Sequence, residues 1–169
     1  MLDLTRRSFL VLGAATALSA CATTIPMLPA ALNASPDTLT HQQIIAAINT
    51  VRAANGAPAW SYNAQLEDAA RAQVRLMASR NTMSHNLGVT LRQRVTTAGY
   101  MGAVGENVGK GYPSLQGVIE GWLNSPAHRK TLLSPKFVEF GLATTTASSG
   151  KRYWAMIAGG SFDAWRVYQ

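Results

Sequence analysis

The spacing of apolar residues changes character once along this chain, at Pro135, and that change limits the folds open to it. Upstream, apolar side chains recur every three to four residues, the spacing that gathers them on one side of a helix. Thr40 and Gln43 form a capping-box pattern ahead of Ile44, Ile48 and Val51, and Gly56 supplies the stop. A second helix is expected after Asn63, with Leu66, Ala70, Val74 and Met77 as its stripe and Glu67–Arg71 as an outward i,i+4 pair. Leu91 to Ala98 reads as a short helix ended by Gly99, and Ser114 to Leu123 as another. Ser125-Pro126 is an N-cap and first-turn pair that opens one more, through Leu133. Downstream of Pro135, Phe137–Thr146 and Arg152–Ala158 are β-rich runs joined by Ser-Ser-Gly, a hairpin signature. Met101 to Gly109 is a further strand, weakened by its glycines. One-sided helices and a hairpin must bury their apolar sides on one another, so the expected class is α+β with a small antiparallel sheet.

No disulfide can help. The 169 residues contain a single cysteine, which excludes intramolecular bridges, thiolate zinc clusters and CxxC redox pairs. That cysteine, Cys21, closes the segment MLDLTRRSFLVLGAATALSAC, in which Arg6 and Arg7 precede an apolar run too short to span a bilayer. Thr-Arg-Arg-Ser-Phe-Leu resembles a twin-arginine export signal, and Leu-Ser-Ala-Cys resembles a lipobox in which Cys21 is acylated. The alternative is an ordinary cleaved signal. Residues 1–21 are therefore read as a signal peptide, 22–37 as a flexible proline-containing tether and 38–169 as the folded domain. The implied location is the periplasm or cell surface, with the membrane as a partner through lipid on Cys21. Fifteen Lys+Arg against eight Asp+Glu give a formal charge of +7, suited to anionic surfaces. No nucleic-acid-binding motif is present, and Arg75, Arg80, Arg92 and Arg94 read as a solvated basic face.

Chemistry-bearing residues are few. His41 lies in the first turn of the first helix and reads as a surface residue. His85 ends Met83-Ser84-His85, Glu106 sits in Gly105-Glu106-Asn107, and His128 lies in Ser125-Pro126-Ala127-His128-Arg129. The gaps between these three match no local metal motif. Asn107 is assigned to the turn after Glu106, Tyr112 to a cleft rim, and Trp154 and Trp165 to the surroundings of the last strand.

The residues Asn49-xx-Arg52, Trp60, Met83-Ser84-His85, Ala98-Gly99-Tyr100, Gly105-Glu106-Asn107-Val108, Gly121-Trp122-xx-Ser125-Pro126-Ala127-His128-Arg129 and Phe140-Gly141 resemble the CAP superfamily. This group of cysteine-rich secretory, antigen 5 and pathogenesis-related 1-type proteins is also called SCP-like, and the match is to its bacterial, cysteine-poor branch. The resemblance covers about residues 44–160. It implies an α-β-α sandwich in which histidines and glutamates from these segments line one cleft. Many relatives carry two His and two Glu there, matching His85, Glu106 and His128. The fourth position, a Trp-x-x-Glu carboxylate, falls on Ser125.

The resemblance also implies zinc at His85 and His128, with Glu106 as a ligand or as the group orienting a bound water. The competing reading is a hydrogen-bonded network that only fixes the cleft. Three functions stay open: a module binding a small ligand, lipid or cell-envelope component through His85, Glu106, Ser125 and His128; a metal-dependent hydrolase using His85, Glu106 and His128; or a structural envelope protein. The missing carboxylate favours the binding module. Ligand identity and oligomeric state are not encoded legibly.

Overall fold

A computed structural model describes residues 25–26 and 35–166. The signal segment with Cys21 and most of the tether lie outside the described residues. Five helices, α1 (His41–Ala54), α2 (Ala64–Ser79), α3 (Leu91–Thr97), α4 (Leu115–Asn124) and α5 (Pro126–Leu132), surround four strands, β1 (Ser61–Tyr62), β2 (Ala103–Lys110), β3 (Glu139–Thr146) and β4 (Arg152–Gly160). None of the described helices is long and apolar enough to cross a membrane.

The helix starts follow from capping chemistry. Thr40 and Thr90 each close a full capping box, with Gln43 and Gln93, and the Asn63 and Ser114 side chains cap α2 and α4. Such a cap is worth about 1 kcal/mol, so four of them fix where the helices begin more than they stabilise the whole.

The strands form one sheet in the order β1-β3-β4-β2. β4, the last in sequence, lies between β3 and β2 and pairs antiparallel with both, from Glu139↔Gly159 to Thr146↔Arg152 and from Ala103↔Gly160 to Lys110↔Tyr153. The expected antiparallel sheet is therefore present, with one addition: β1, two residues long, pairs parallel to β3.

Alternation along β4 divides the core. Trp154, Met156 and Ala158 face one layer with α1, α4 and α5, burying Ile48, Val51, Leu115, Trp122 and Leu132. Tyr153, Ala155 and Ile157 face the other, with Leu66, Ala70, Val74 and Met77 of α2 and Val95 of α3. Each large aliphatic or aromatic side chain buried this way contributes about 1.5–3 kcal/mol, enough to hold the sandwich without a covalent staple. The α2 layer sits very close: a Cβ at Gly141 of β3 would lie 2.0 Å from the Glu67 backbone nitrogen. Only glycine permits that approach.

Buried polar groups tie the segments together. Arg52, fully buried, lies over the Trp60 ring at 3.7 Å and donates to the carbonyls of Pro58, Leu132 and Ser134. Burial without a carboxylate partner pulls its guanidinium down to about 10. Asn49 exchanges two hydrogen bonds with the Trp60 backbone, at 2.9 and 2.8 Å. At the far end of the sheet, Asp37, in the last residues assigned to the tether, accepts two bonds from Arg152 at 2.9 and 2.8 Å. This guanidinium holds the Asp37 carboxyl below its ordinary value.

Candidate functional site

Successive side chains of a strand leave it on opposite faces, and β2 uses this at its centre. Glu106 points into the layer of α2 and α3, while Asn107 points toward α5. β2 is an edge strand, so segments on both faces can meet around its free side.

On the first face, Glu106 is buried and both of its oxygens are taken. Oε1 accepts from an Arg94 η nitrogen at 2.6 Å, and Oε2 accepts from His85 Nδ1 at 2.9 Å. Arg94 is as deeply buried as its partner, with side-chain exposures of 1% and 2%. Its other η nitrogen donates to the carbonyls of His85 and Val89 at 3.2 and 2.7 Å. One arginine thus pins the carboxylate and the loop that carries the histidine. Arg94 does not belong to the solvated face the sequence suggested; Arg75, Arg80 and Arg92 do. Arg94 also lines an apolar cavity of about 490 Å³ between α2 and α3. The Gln73 amide of α2 adds a second tie, donating to the Ser84 carbonyl.

The His85 side chain is 57% exposed. Its bond to Glu106 raises its pKa above the usual histidine value, against partial burial and the repulsion of Arg94. With Nδ1 committed to the carboxylate, Nε2 is the nitrogen left to meet a ligand.

On the second face, Asn107 is fully buried in mid-strand and donates to the His128 carbonyl at 2.9 Å. It is not a turn residue: it fastens the first turn of α5 to the sheet. His128 is half-buried, and its pKa is lowered, first by burial and then by the charge of His85. The two imidazoles are thus displaced in opposite directions. Ser125 is the N-cap of α5 ahead of Pro126, as the sequence suggested, but its hydroxyl makes no cap hydrogen bond; Pro126 and the Ser125 carbonyl's bond from Arg129 N start the helix.

Other candidates are absorbed elsewhere. His41 bonds Glu67 at 3.1 Å and stacks on Tyr62. Glu120 pairs with Gln116 along α4, and Glu139 accepts from Asn63 and Tyr100. Tyr112, expected at the cleft rim, packs over Gly109, Gly117 and Gly121, and its carbonyl accepts from Trp154 Nε1. Trp154 is wholly buried, whereas Trp165 follows the last strand and is exposed.

A zinc site needs three protein ligands with an open position, or four without one. Among the described residues no group of three His, Cys, Asp or Glu side chains is placed to hold a metal. Glu106, almost wholly buried, turns little of its carboxylate outward and is held on each oxygen, by Arg94 and by His85. The residues present do not fit a three-ligand centre.

Sequence reasoning missed Arg94, Gln73 and Asn107 as the scaffold of this site. Arg94 Nε, Gln73 Oε1 and Asn107 Oδ1, like Gln116 Oε1 of α4, are buried without a hydrogen-bond partner among the described residues.

Comparison with known proteins gives the arrangement a lineage. A Bacillus subtilis protein, YkwD, is 25% identical over 112 residues, covering 64% of this chain and 44% of its own length, so this chain spans less than half of that relative. An outer surface protein of Borrelia burgdorferi superposes with a TM-score of 0.64 at 21% identity, covering 71% of this chain and 91% of that one. An extracellular protein of Bacillus anthracis containing an SCP domain gives 0.63 at 25% identity, covering 71% and 40%. The family model for CAP, the cysteine-rich secretory protein family, matches residues 45–158, which include every residue of the cleft, and the chain belongs to that family.

Proposed function

We propose that this chain is an exported envelope protein, anchored through lipid on Cys21, whose cleft between His85 and His128 binds a polar envelope ligand without hydrolysing it. Export is supported by the signal-like first segment and by relatives described as extracellular or outer-surface proteins. The observation that carries the binding reading is the state of Glu106. A carboxylate acting as general base or metal ligand must reach substrate or ion, and this one is almost wholly buried behind His85, with a hydrogen bond on each oxygen. Ser125 at the fourth family position supplies no second carboxylate.

What the cleft offers instead is a matched pair of hydrogen-bonding groups. His85 leans toward the protonated donor and His128 toward the neutral acceptor. A hydroxyl-rich or amide-bearing envelope component can satisfy both, and soluble cell-wall glycopeptide fragments are a probe of that class.

The test is a calorimetric and NMR titration of the chain from Ala22 onward with soluble muramyl-peptide fragments, in EDTA and in zinc. We expect saturable binding that survives EDTA, moves both imidazole resonances and is lost in His85→Ala/His128→Ala. Tight stoichiometric zinc binding lost in the same double variant, with fragment cleavage abolished by EDTA, would overturn this reading in favour of a metal-dependent hydrolase.

A further inference from the structure

The end of the sheet where β2 begins and β4 finishes carries large apolar side chains in water. Met101, Phe162 and Trp165 are 69%, 55% and 42% exposed, although the core beside them is closed. Isolated surface apolar residues need no explanation; a contiguous group does. Phe162 and Trp165 are the two ends of one 3-10 turn, Phe162–Trp165, that directly follows β4. Arg92, whose guanidinium lies over the Phe162 ring, also donates to the carbonyl of Gly102, next to Met101, at 2.9 Å, and the Trp165 ring rests against Phe137.

Each exposed aromatic is accompanied by a cation. The Arg92 guanidinium lies 5.5 Å from the Phe162 ring centre, and Lys136 Nζ lies 4.5 Å from that of Trp165. The acid of the segment, Asp163, is already paired with Arg166 at 3.0 Å. Apolar tips with lysine and arginine beside them, and a tryptophan among them, match a lipid headgroup layer, whose anionic surface lies above an apolar interior.

We infer that this sheet end is a docking face for an anionic lipid bilayer, separate from the His85–His128 cleft. The geometry accommodates an anchor on Cys21 at the same time. Asp37 is clamped to Arg152 at the other end of β4, eight residues from Gly160, or about 27 Å away along the strand. The fourteen residue steps from Cys21 to Ser35 span up to about 50 Å when extended, more than that separation. A lipid anchor and this face thus reach one membrane together, and two weak attachments make a stable one.

The test uses the unacylated chain from Ala22, which retains both cores, sedimented with vesicles of phosphatidylglycerol or of phosphatidylcholine. We expect partition onto phosphatidylglycerol at least tenfold stronger than onto phosphatidylcholine, weakening as salt rises. Phe162→Ser/Trp165→Ser and, separately, Lys136→Glu should each lower it about tenfold with the melting temperature unchanged. If either variant melts early, Met101→Gln, at the most exposed position, reads the same face. Arg75→Glu on the outer side of α2 controls for total charge. Failure of the wild-type chain to bind phosphatidylglycerol, or a loss in Arg75→Glu equal to that in Lys136→Glu, would overturn the inference.

Discussion

Glu106 and Asn107 are neighbours on one strand, yet the two halves of the cleft they support are built on different principles. On the α3 side a buried charge is answered by a buried charge, and a half-exposed histidine is drawn toward its protonated form. On the α5 side a neutral amide holds a backbone carbonyl, and a half-buried histidine is pushed toward its neutral form. The two imidazoles therefore have opposite protonation preferences, and the asymmetry originates in the Glu106 carboxylate bonded to His85 and in the burial of His128 beside a charged neighbour. Displacing the values of two titratable groups in opposite directions is a general means of giving similar side chains dissimilar roles.

The comparison breaks most severely at Arg94. Arg94→Met leaves Glu106 buried beside the half-exposed His85 alone, and losing one partner of a buried pair costs about 3–5 kcal/mol. A fall in Tm of about 10 °C is expected in a thermal melt; a variant within 2 °C of wild type would mean that the pair does not hold the α3 side. Asn107→Leu should cost less, about 1–3 kcal/mol, because it strands one carbonyl while also removing the unmatched amide oxygen. Its sharper readout is NMR, where the His128 titration should shift and that of His85 should not.

The smallest effect is the pH dependence. His85 has a raised folded-state pKa, so its contribution to stability is complete below the unfolded value near 6.5 and fades as pH climbs through the folded one. His128 has a lowered one, so it penalises the folded state as pH falls below that same unfolded value. The two slopes have opposite signs on either side of the unfolded value, so the wild type should be most stable at about pH 6.5 and lose stability gently in both directions. In His85→Ala the remaining slope should have one sign only, with stability rising with pH. His128 should then titrate higher, free of its neighbour's charge. Urea melts across that range give the first result and imidazole proton shifts the second.

Much of the fold is legible in the sequence because its signals are local. Caps and stripes each lie within about a dozen residues and the hairpin within about two dozen, and the helices begin where Thr40, Asn63, Thr90 and Ser114 place them. β1 is not legible, since two residues carry no period and its partner lies 78 positions away. The cleft divides the same way. His85, Glu106 and His128 are noticed through motif resemblance, but Arg94 reads as a surface cation because nothing in its helix announces a carboxylate twelve residues on. Asn107 reads as a turn residue because asparagine after small residues usually is one, and only the strand pairing shows it pointing inward. Ser125 caps α5 by position, without the side-chain hydrogen bond its residue type suggests.

The position of β4 has a consequence for how the chain is made. The strand at the centre of the sheet is the last to be synthesised, and both of its neighbours wait for it: β3 from close by, β2 across more than forty residues. Until Gly160 has left the ribosome, α2 has only half a surface to pack on, and neither core can close. Assembly is then a single late step of long loop closure, not a progressive accretion from the N-terminus. An export route that accepts only folded cargo would have to wait until β4 has been made.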